Sequence, residues 1–266
     1  MNVLRSYFED LFKFRKLIYS LSLDDFKVKY AGSYFGIVWA FIKPIVTILV
    51  FWFVFQVGFR NAPVSNVPYI LWLIPAVIPW FFFVEAMNGT TGTLLQYSYL
   101  VKKMKFPIQI LPVVKILSSL YVHLFFIAFI FFMYIIYGFG FDIYQIQVIY
   151  YIIALLAFLN GIGLILSALN VFIKDMREIV NIVLEVGFWL TPIFWSYSML
   201  SDSVLTLFRL NPMFYITDGM RDTFVNKVWF WENVTWMLYF WVLTIVVNLI
   251  GILLYNKLKP HFSDVI

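Results

Sequence analysis

The stretch from Ile143 to Ile173, IYQIQVIYYIIALLAFLNGIGLILSALNVFI, decides the fold because it contains no charged residue. A helix needs about 20 apolar residues to cross the hydrocarbon core of a bilayer. This stretch exceeds that length, and it is apolar on every face rather than along one stripe. The sequence therefore predicts a membrane-spanning helix here, over residues 148–172.

The other long runs without charge extend this interpretation to the whole chain. Residues 61–84, 116–141 and 233–256 are long enough to span without assistance. A span near the N-terminus must tolerate Lys43, and one near residue 185 must tolerate Glu185. The sequence thus predicts an all-α polytopic membrane protein with six transmembrane helices, at residues 36–58, 69–92, 108–138, 148–172, 179–199 and 233–256.

The composition supports the same class. Of the 266 residues, 63% are hydrophobic, 22% aromatic and 12% charged, and there is no cysteine. Soluble domains are about half apolar and about a quarter charged, so a soluble enzyme, a disordered chain and a disulfide scaffold are excluded.

The basic residues predict the orientation in the membrane. Six lysines and arginines lie in residues 1–35, and seven more lie in loops that the six-span topology places on the same side; four lie in the opposite loops. Positively charged loops stay in the cytoplasm. Both termini are therefore expected to be cytoplasmic in a bacterial inner or plasma membrane, and the net charge of +5 requires no nucleic-acid partner.

Three segments outside the spans carry structure of their own. Residues 3–22 predict an amphipathic interfacial helix, either a plain basic anchor or a moving lever at a cytoplasmic entrance. Residues 96–107 are basic and aromatic, and predict a short helix that docks against a partner. In the outer segment 200–232, Asn211 followed by Pro212 predicts the start of a short helix that dips into the membrane, over residues 213–224.

The sequence contains few candidate catalytic residues. No Gly-Lys pair occurs, so the chain lacks a phosphate-binding loop for ATP. His123 is expected to be a packed or lipid-interface residue. The motif Asp218-Gly-Met-Arg-Asp222 superficially resembles membrane phosphatidyl transferases, but their later paired aspartates are missing. Glu85 is expected to neutralise Lys43 or Lys115.

Aromatic residues are enriched in spans one, two and five. Such rings can stack against sugars while tolerating lipid, and their alternative role is lipid-facing bulk. The candidates for lining a conduit are Trp39, Trp52, Trp80, Phe188, Trp189, Phe194 and Trp195.

Six short motifs in order resemble the ABC-2 type polysaccharide exporters, the membrane subunits that export O-antigen or wall teichoic acid. They are Asp25-Phe-Lys-Val-Lys-Tyr-Ala-Gly-Ser-Tyr-Phe-Gly-Ile-Val-Trp39 with Lys43-Pro44, Ile78-Pro-Trp-Phe-Phe-Phe83, Lys105-Phe-Pro107 with Leu111-Pro112, Lys174-Asp-Met-Arg177, Thr191-Pro-Ile-Phe-Trp195 and Asn211-Pro-Met213.

The resemblance implies a division into a gate helix with its linker, residues 1–35, and a six-helix transmembrane domain, residues 36–266, with short re-entrant helices between spans five and six. It implies a homodimer that binds two copies of a cytoplasmic ABC ATPase, within membrane lipid. The substrate would be a glycan on an undecaprenyl-type lipid diphosphate. No cofactor would be bound by this chain, because ATP and Mg²⁺ belong to the ATPase.

The same resemblance assigns two sets of site residues. Lys27, Lys29 and Lys43 would attract the lipid diphosphate at the entrance, with basic anchoring as the alternative for the first two. Segment 96–107 would receive motion from the ATPase through Tyr97, Tyr99, Lys102, Lys103, Lys105 and Phe106.

Two alternative functions stay open from the sequence. An ABC-2 permease for a small lipid or drug has the same topology. A membrane glycosyltransferase would need a carboxylate pair or a metal site at the membrane face. The sequence does not choose between O-antigen, teichoic acid and capsular polymers.

The predicted topology can be tested by cysteine labelling, because the chain has no native cysteine. Single variants Ser6→Cys and Ser201→Cys should react with a membrane-impermeant maleimide from opposite sides of the membrane. Labelling of both variants in intact cells would contradict the orientation.

Overall fold

The computed structural model describes residues 2–31, 34–58, 67–102, 106–197 and 200–266, which form helices and connecting turns without a β-strand among them. Short 3₁₀ or π turns occur at Gly36–Val38, Phe53–Gly58, Ile108–Ile110, Ile143–Gln147, Asp222–Asn226 and Lys259–His261. The α-helices are α1 Asn2–Lys13, α2 Arg15–Tyr30, α3 Trp39–Trp52, α4 Tyr69–Thr91, α5 Thr93–Gln96, α6 Ser98–Val101, α7 Leu111–Ile136, α8 Val148–Phe172, α9 Met176–Leu190, α10 Asp202–Arg209, α11 Pro212–Arg221, α12 Val234–Leu258 and α13 Phe262–Val265.

Within the described residues, five helical segments are long and apolar enough to cross a membrane. They are Gly36–Gly58, Tyr69–Thr91, Ile108–Ile136, Ile143–Phe172 and Val234–Val265. These segments match predicted spans one, two, three, four and six. The all-helical, multi-pass class of the fold is therefore confirmed.

The predicted fifth span differs from the structure. Instead of one helix over residues 179–199, α9 covers the 15 residues Met176–Leu190 and the chain turns at Thr191. Pro192 explains this end, because proline disfavours the helical conformation of the residue before it. At 1.5 Å per residue, α9 is about 22 Å long, which is short of the bilayer core.

Helix α4 lies at the centre of the bundle. In its apolar stretch 83% of the residues are buried, against 11% in Gly36–Gly58. Pro75 lies inside α4 and leaves the carbonyl of Leu71 without its helical donor. The Tyr134 hydroxyl of α7 donates to that carbonyl at 2.9 Å, so the neighbouring helix supplies the missing hydrogen bond.

Small residues bring α8 and α12 into backbone contact. A Cβ on Gly161 would lie 2.7 Å from the backbone nitrogen of Asn248, and a Cβ on Gly251 would lie 2.5 Å from the carbonyl oxygen of Gly161. Asn160 donates to the Asn248 side chain at 2.9 Å beside this contact. Small residues with a polar pair are typical of helix contacts in membranes.

The N-terminal segment is two helices rather than the single one predicted over residues 3–22. They meet at Phe14, where the backbone leaves the helical conformation (φ −96°, ψ 14°). The bundle covers only part of the apolar face of α1, since Tyr7 is 2% exposed whereas Phe12 is 70% exposed. The Tyr7 hydroxyl donates to Asn160 at 2.7 Å, so α1 is docked on the bundle.

The outer segment contains α10 and α11. As predicted, Asn211 caps α11 by accepting from the backbone nitrogen of Met213 at 3.0 Å, with Pro212 at the first helical position. Arg221 in the last turn is 1% exposed and lies with its guanidinium 3.5 Å from the Trp72 ring centroid. It donates to the carbonyls of Trp72, Pro192 and Ile193, which ties α11 to α4 and to the end of α9.

The close contact between α8 and α12 predicts the effect of one methyl group. Gly161→Ala should force the two backbones apart at a cost of about 1–3 kcal/mol. The thermal unfolding midpoint of the purified protein should then fall by several degrees. Gly140→Ala is the matched control, because no atom lies within 4 Å of its Cβ position. Equal midpoints for both variants would refute the close-packing interpretation.

Candidate functional site

A cavity of about 430 Å³ lies between α2, α3, α4, α7 and α9, at the end of the bundle where α1 and α2 dock. Its polar groups come from Lys29, Lys43, Glu85 and His123, with three hydroxyl side chains. The rest of the wall is apolar and includes Trp39, Phe51, Trp80, Phe82, Phe126 and Phe188. The cavity therefore combines charged groups at one place with an aromatic wall, as an amphiphilic ligand requires.

The charged pairs around the cavity differ from the prediction for Glu85. Glu85 forms an ion pair with Lys29, not with Lys43 or Lys115. Lys115 pairs with Asp25, with the Lys115 Nζ at 2.5 Å from the Asp25 Oδ1. These partners are far apart in the chain, so spacing along the sequence carries no signal for them.

Two of the three predicted entrance lysines line the cavity. Lys29 contributes from α2, where burial lowers its pKa and the Asp25 carboxylate opposes that shift. Lys43 contributes from α3 and has no anionic partner among the residues that the structure describes. Lys27 is exposed on α2 and does not line the cavity.

His123 adds a polar group that sequence reasoning did not assign to a site. It is packed, as predicted, being 4% exposed and stacked on Phe82 with ring centroids 4.6 Å apart. Yet it also lines the cavity, and its buried Nδ1 has no hydrogen-bond partner in the described part of the chain. The sequence feature that could have indicated this role is the presence of a single histidine within a predicted span, because ionisable residues in spans are often functional.

The aromatic candidates separate into two groups. Phe188 lies 5.9 Å from Trp80 and 5.5 Å from Phe194, and Trp189 lies 4.9 Å from Phe194, measured between ring centroids. Phe51 of α3 joins this cluster at 5.8 Å from Phe188. The structure therefore brings four of the predicted aromatics together between α3, α4 and α9.

The remaining aromatic candidates lie elsewhere. Trp52 lines a separate cavity of about 210 Å³ between α3, α4 and α7. Trp195 packs on Phe208 of α10 with ring centroids 5.4 Å apart. Trp39 lines the main cavity but is far from the Phe188 cluster along α3, three turns before Phe51.

Within segment 96–107 the structure has one single-turn helix, α6, which follows the single-turn α5 that ends at Gln96. Tyr99 is 59% exposed, whereas Tyr97 is half-buried and its hydroxyl donates to Asp25 at 2.8 Å. Lys102 is exposed and Phe106 half-buried. Lys103 and Lys105 lie outside the described residues.

The charged groups of the site can bind an anion. Within the described residues, no group of three His, Cys, Asp or Glu side chains could hold a metal ion. Lysine ammonium groups form strong charge-assisted hydrogen bonds with phosphate. The arrangement suits an anion that is attached to an apolar or sugar-bearing body.

Comparison with known proteins agrees with this description. Residues 16–225 match the family described as ABC-2 type transporter. Two proteins of Klebsiella pneumoniae, each named O-antigen export system permease protein RfbA, are 26% and 25% identical over 251 residues, covering 94% of this chain and 95% of each relative. A protein of the same name from Myxococcus xanthus is 26% identical over 217 residues, covering 81% of this chain and 82% of the relative. Because the family match extends over most of the chain, this protein belongs to the ABC-2 type transporter family.

Proposed function

We propose that this chain is the membrane subunit of an ATP-driven exporter that moves a polysaccharide attached to a lipid diphosphate out of the cytoplasm. The cavity that joins Lys29 and Lys43 to an aromatic wall carries this proposal. Family membership and the names of the relatives support the same substrate class. The fit of those relatives over nearly the whole chain disfavours a small-lipid or drug permease.

The polar end of the cavity suits a diphosphate. Lys43 has no anionic partner in the described chain, and Lys29 is held only by the partly exposed pair with Glu85, whose side chains are 39% and 42% exposed. Exposed ion pairs contribute about 0–1 kcal/mol, so an incoming diphosphate can displace Glu85 from Lys29 at small cost.

The size of the cavity limits what it can hold. A volume of about 430 Å³ lies within the range of small-molecule sites, about 300–1,000 Å³. It can hold the diphosphate and the first sugar, whereas a polymer needs a longer passage. The centre of the protomer offers none, because α4 is packed on all sides.

The passage therefore lies between two copies of the chain, which makes the active form a homodimer. Glu185 supports this location: it is exposed on the outward face of α9 and has no cationic partner in the described chain. A carboxylate facing lipid is costly, but one facing a water-filled passage is not. Apolar residues that are at least half exposed border the same faces of α3 and α9: Val46, Leu49, Val50, Phe53, Ile182, Val183, Val186 and Trp189.

In this arrangement α9 and the turn after it form the fifth of six crossings, and α10 and α11 are the re-entrant helices of the outer segment 200–232. Both termini lie at the end of the bundle that carries α1, because Tyr7 and Phe262 pack in one apolar cluster. We assign this end to the cytoplasm from the excess of lysine and arginine there.

Energy comes from a separate ATPase, two copies of which bind the dimer. The chain has no phosphate-binding loop of its own, so ATP and Mg²⁺ are bound by those partner chains. Segment 93–102 with Phe106 is the contact for them, since it lies at the cytoplasmic end and exposes Tyr99 and Lys102.

The role of Lys43 gives the main test of the substrate. In vesicles that contain the complete transporter, an undecaprenyl-diphosphate-linked oligosaccharide should stimulate ATP hydrolysis. Lys43→Met removes the cation without shortening the side chain greatly, and should abolish most of that stimulation. Lys16→Met, an exposed lysine of α2 outside the cavity, should retain it. Undiminished stimulation of the Lys43 variant would remove the cavity from the transport path.

The exposed ring of Tyr99 gives a test of the ATPase contact. Tyr99→Ala should weaken co-purification of the ATPase by about ten-fold, the loss expected for an aromatic anchor worth more than 1 kcal/mol. Tyr137→Ala is the matched control, because Tyr137 is 45% exposed at the opposite end of the bundle. If both variants retain the ATPase equally, the contact lies elsewhere.

A further inference from the structure

Three elements meet at one buried carboxylate. Asp25 of α2 is 7% exposed, and its Oδ1 accepts from the Lys115 Nζ of α7 at 2.5 Å and from the Tyr97 hydroxyl at 2.8 Å. Tyr97 lies between α5 and α6, in the segment assigned to the ATPase contact. The Lys115 Nζ also lies 5.2 Å from the Tyr97 ring centroid, so each of the three side chains contacts the other two.

Stability alone does not require this cluster. Replacing a buried ion pair with apolar side chains is often neutral or stabilising, whereas removal of one partner leaves an uncompensated charge. What a buried pair supplies is a fixed arrangement, because its charges must stay together. Segment 93–101 therefore cannot move freely without α2 while Tyr97, Asp25 and Lys115 are joined.

The same helix reaches the cavity one turn later. Lys29 follows Asp25 by four residues, so the two side chains lie on one face of α2, about 6 Å apart along its axis. Lys29 pairs with Glu85 of α4 in the cavity wall. Helix α2 thus carries one charge that contacts the ATPase segment and one that contacts the substrate cavity.

We propose that Asp25, Lys115 and Tyr97 form a joint that transmits displacement of segment 93–101 to α2 and thereby repositions Lys29 in the cavity. The proposal rests on the assignment of that segment as the ATPase contact. Because coupling is reciprocal, a substrate that draws Lys29 away from Glu85 also acts on the ATPase through the same joint. The three residues are positioning residues, since none of them lines the cavity.

The test measures the movement of α2 without any glycan. Val28, which is 67% exposed on α2, is replaced by cysteine in the otherwise cysteine-free chain and labelled with an environment-sensitive fluorophore. Addition of ATP to the complex should change the fluorescence. Tyr97→Phe removes one hydroxyl and should reduce that change by about five-fold or more, the lower end of usual coupling between sites.

The matched control removes a different hydroxyl from the same helix pair. Tyr121 of α7 shares a hydrogen bond of 2.8 Å with Ser22 of α2 and is not one of the three residues of the joint. Tyr121→Phe should leave the ATP-dependent signal unchanged. If the two variants lower the signal equally, a general loosening of α2 explains both and the joint is refuted.

A charge exchange tests the pair itself. Asp25→Lys and Lys115→Asp should each abolish the ATP-dependent signal, and the double variant should restore at least part of it. No recovery in a double variant that still binds the ATPase would refute the joint, as would a wild-type signal that does not respond to ATP. Failure of the lipid-linked glycan to stimulate hydrolysis would refute the proposed substrate alone, because the fluorescence test contains no glycan.

Discussion

Arg221 shows the constraint on which this fold depends, namely that every backbone carbonyl in the membrane interior needs a donor. An unpaired polar group in hydrocarbon costs several kcal/mol. The turn after α9 leaves the carbonyls of Pro192 and Ile193 without helical partners, and the guanidinium of Arg221 donates to both. One side chain therefore permits α9 to end early, and at the same time attaches α11 to the core through Trp72.

The same constraint explains where the bundle is rigid and where it is open. Tyr134 supplies the donor that Pro75 removes from α4, so the central helix can bend without losing a hydrogen bond. Backbone contact at Gly161 and Gly251 holds α8 to α12. By contrast, α3 and α9 have few such contacts on their outward faces, which remain apolar and exposed. The rigid half holds the helices together, and the exposed half is the one that we propose a second copy covers.

Sequence reasoning succeeded where one local property decides the structure. The scarcity of charge located five spanning segments, and the pair Asn211-Pro212 located the start of α11. It failed for α9, because the donor that permits its early end is Arg221, 29 positions beyond Pro192 in the chain. The pairs of Lys115 with Asp25 and of Lys29 with Glu85 were missed for the same reason, since partners so far apart in the chain leave no periodic pattern. His123 was predicted to be packed, but only its surroundings show that it lines a cavity.

The placement of charge distinguishes the two kinds of contact in this protein. Apolar faces such as those of α3 and α9 can slide against a partner, because dispersion and apolar burial depend little on direction. An ion pair in a buried position cannot slide, since separation of the charges leaves each of them unsolvated. A transporter that is driven by the movement of another chain needs both properties. It needs an interface that can open and a contact whose length stays fixed. The proposed dimer interface includes Glu185 of α9, which has no cationic partner among the described residues. In contrast, α2 carries paired charges on both of its contacts, with Asp25 bound to α7 and Lys29 bound to α4.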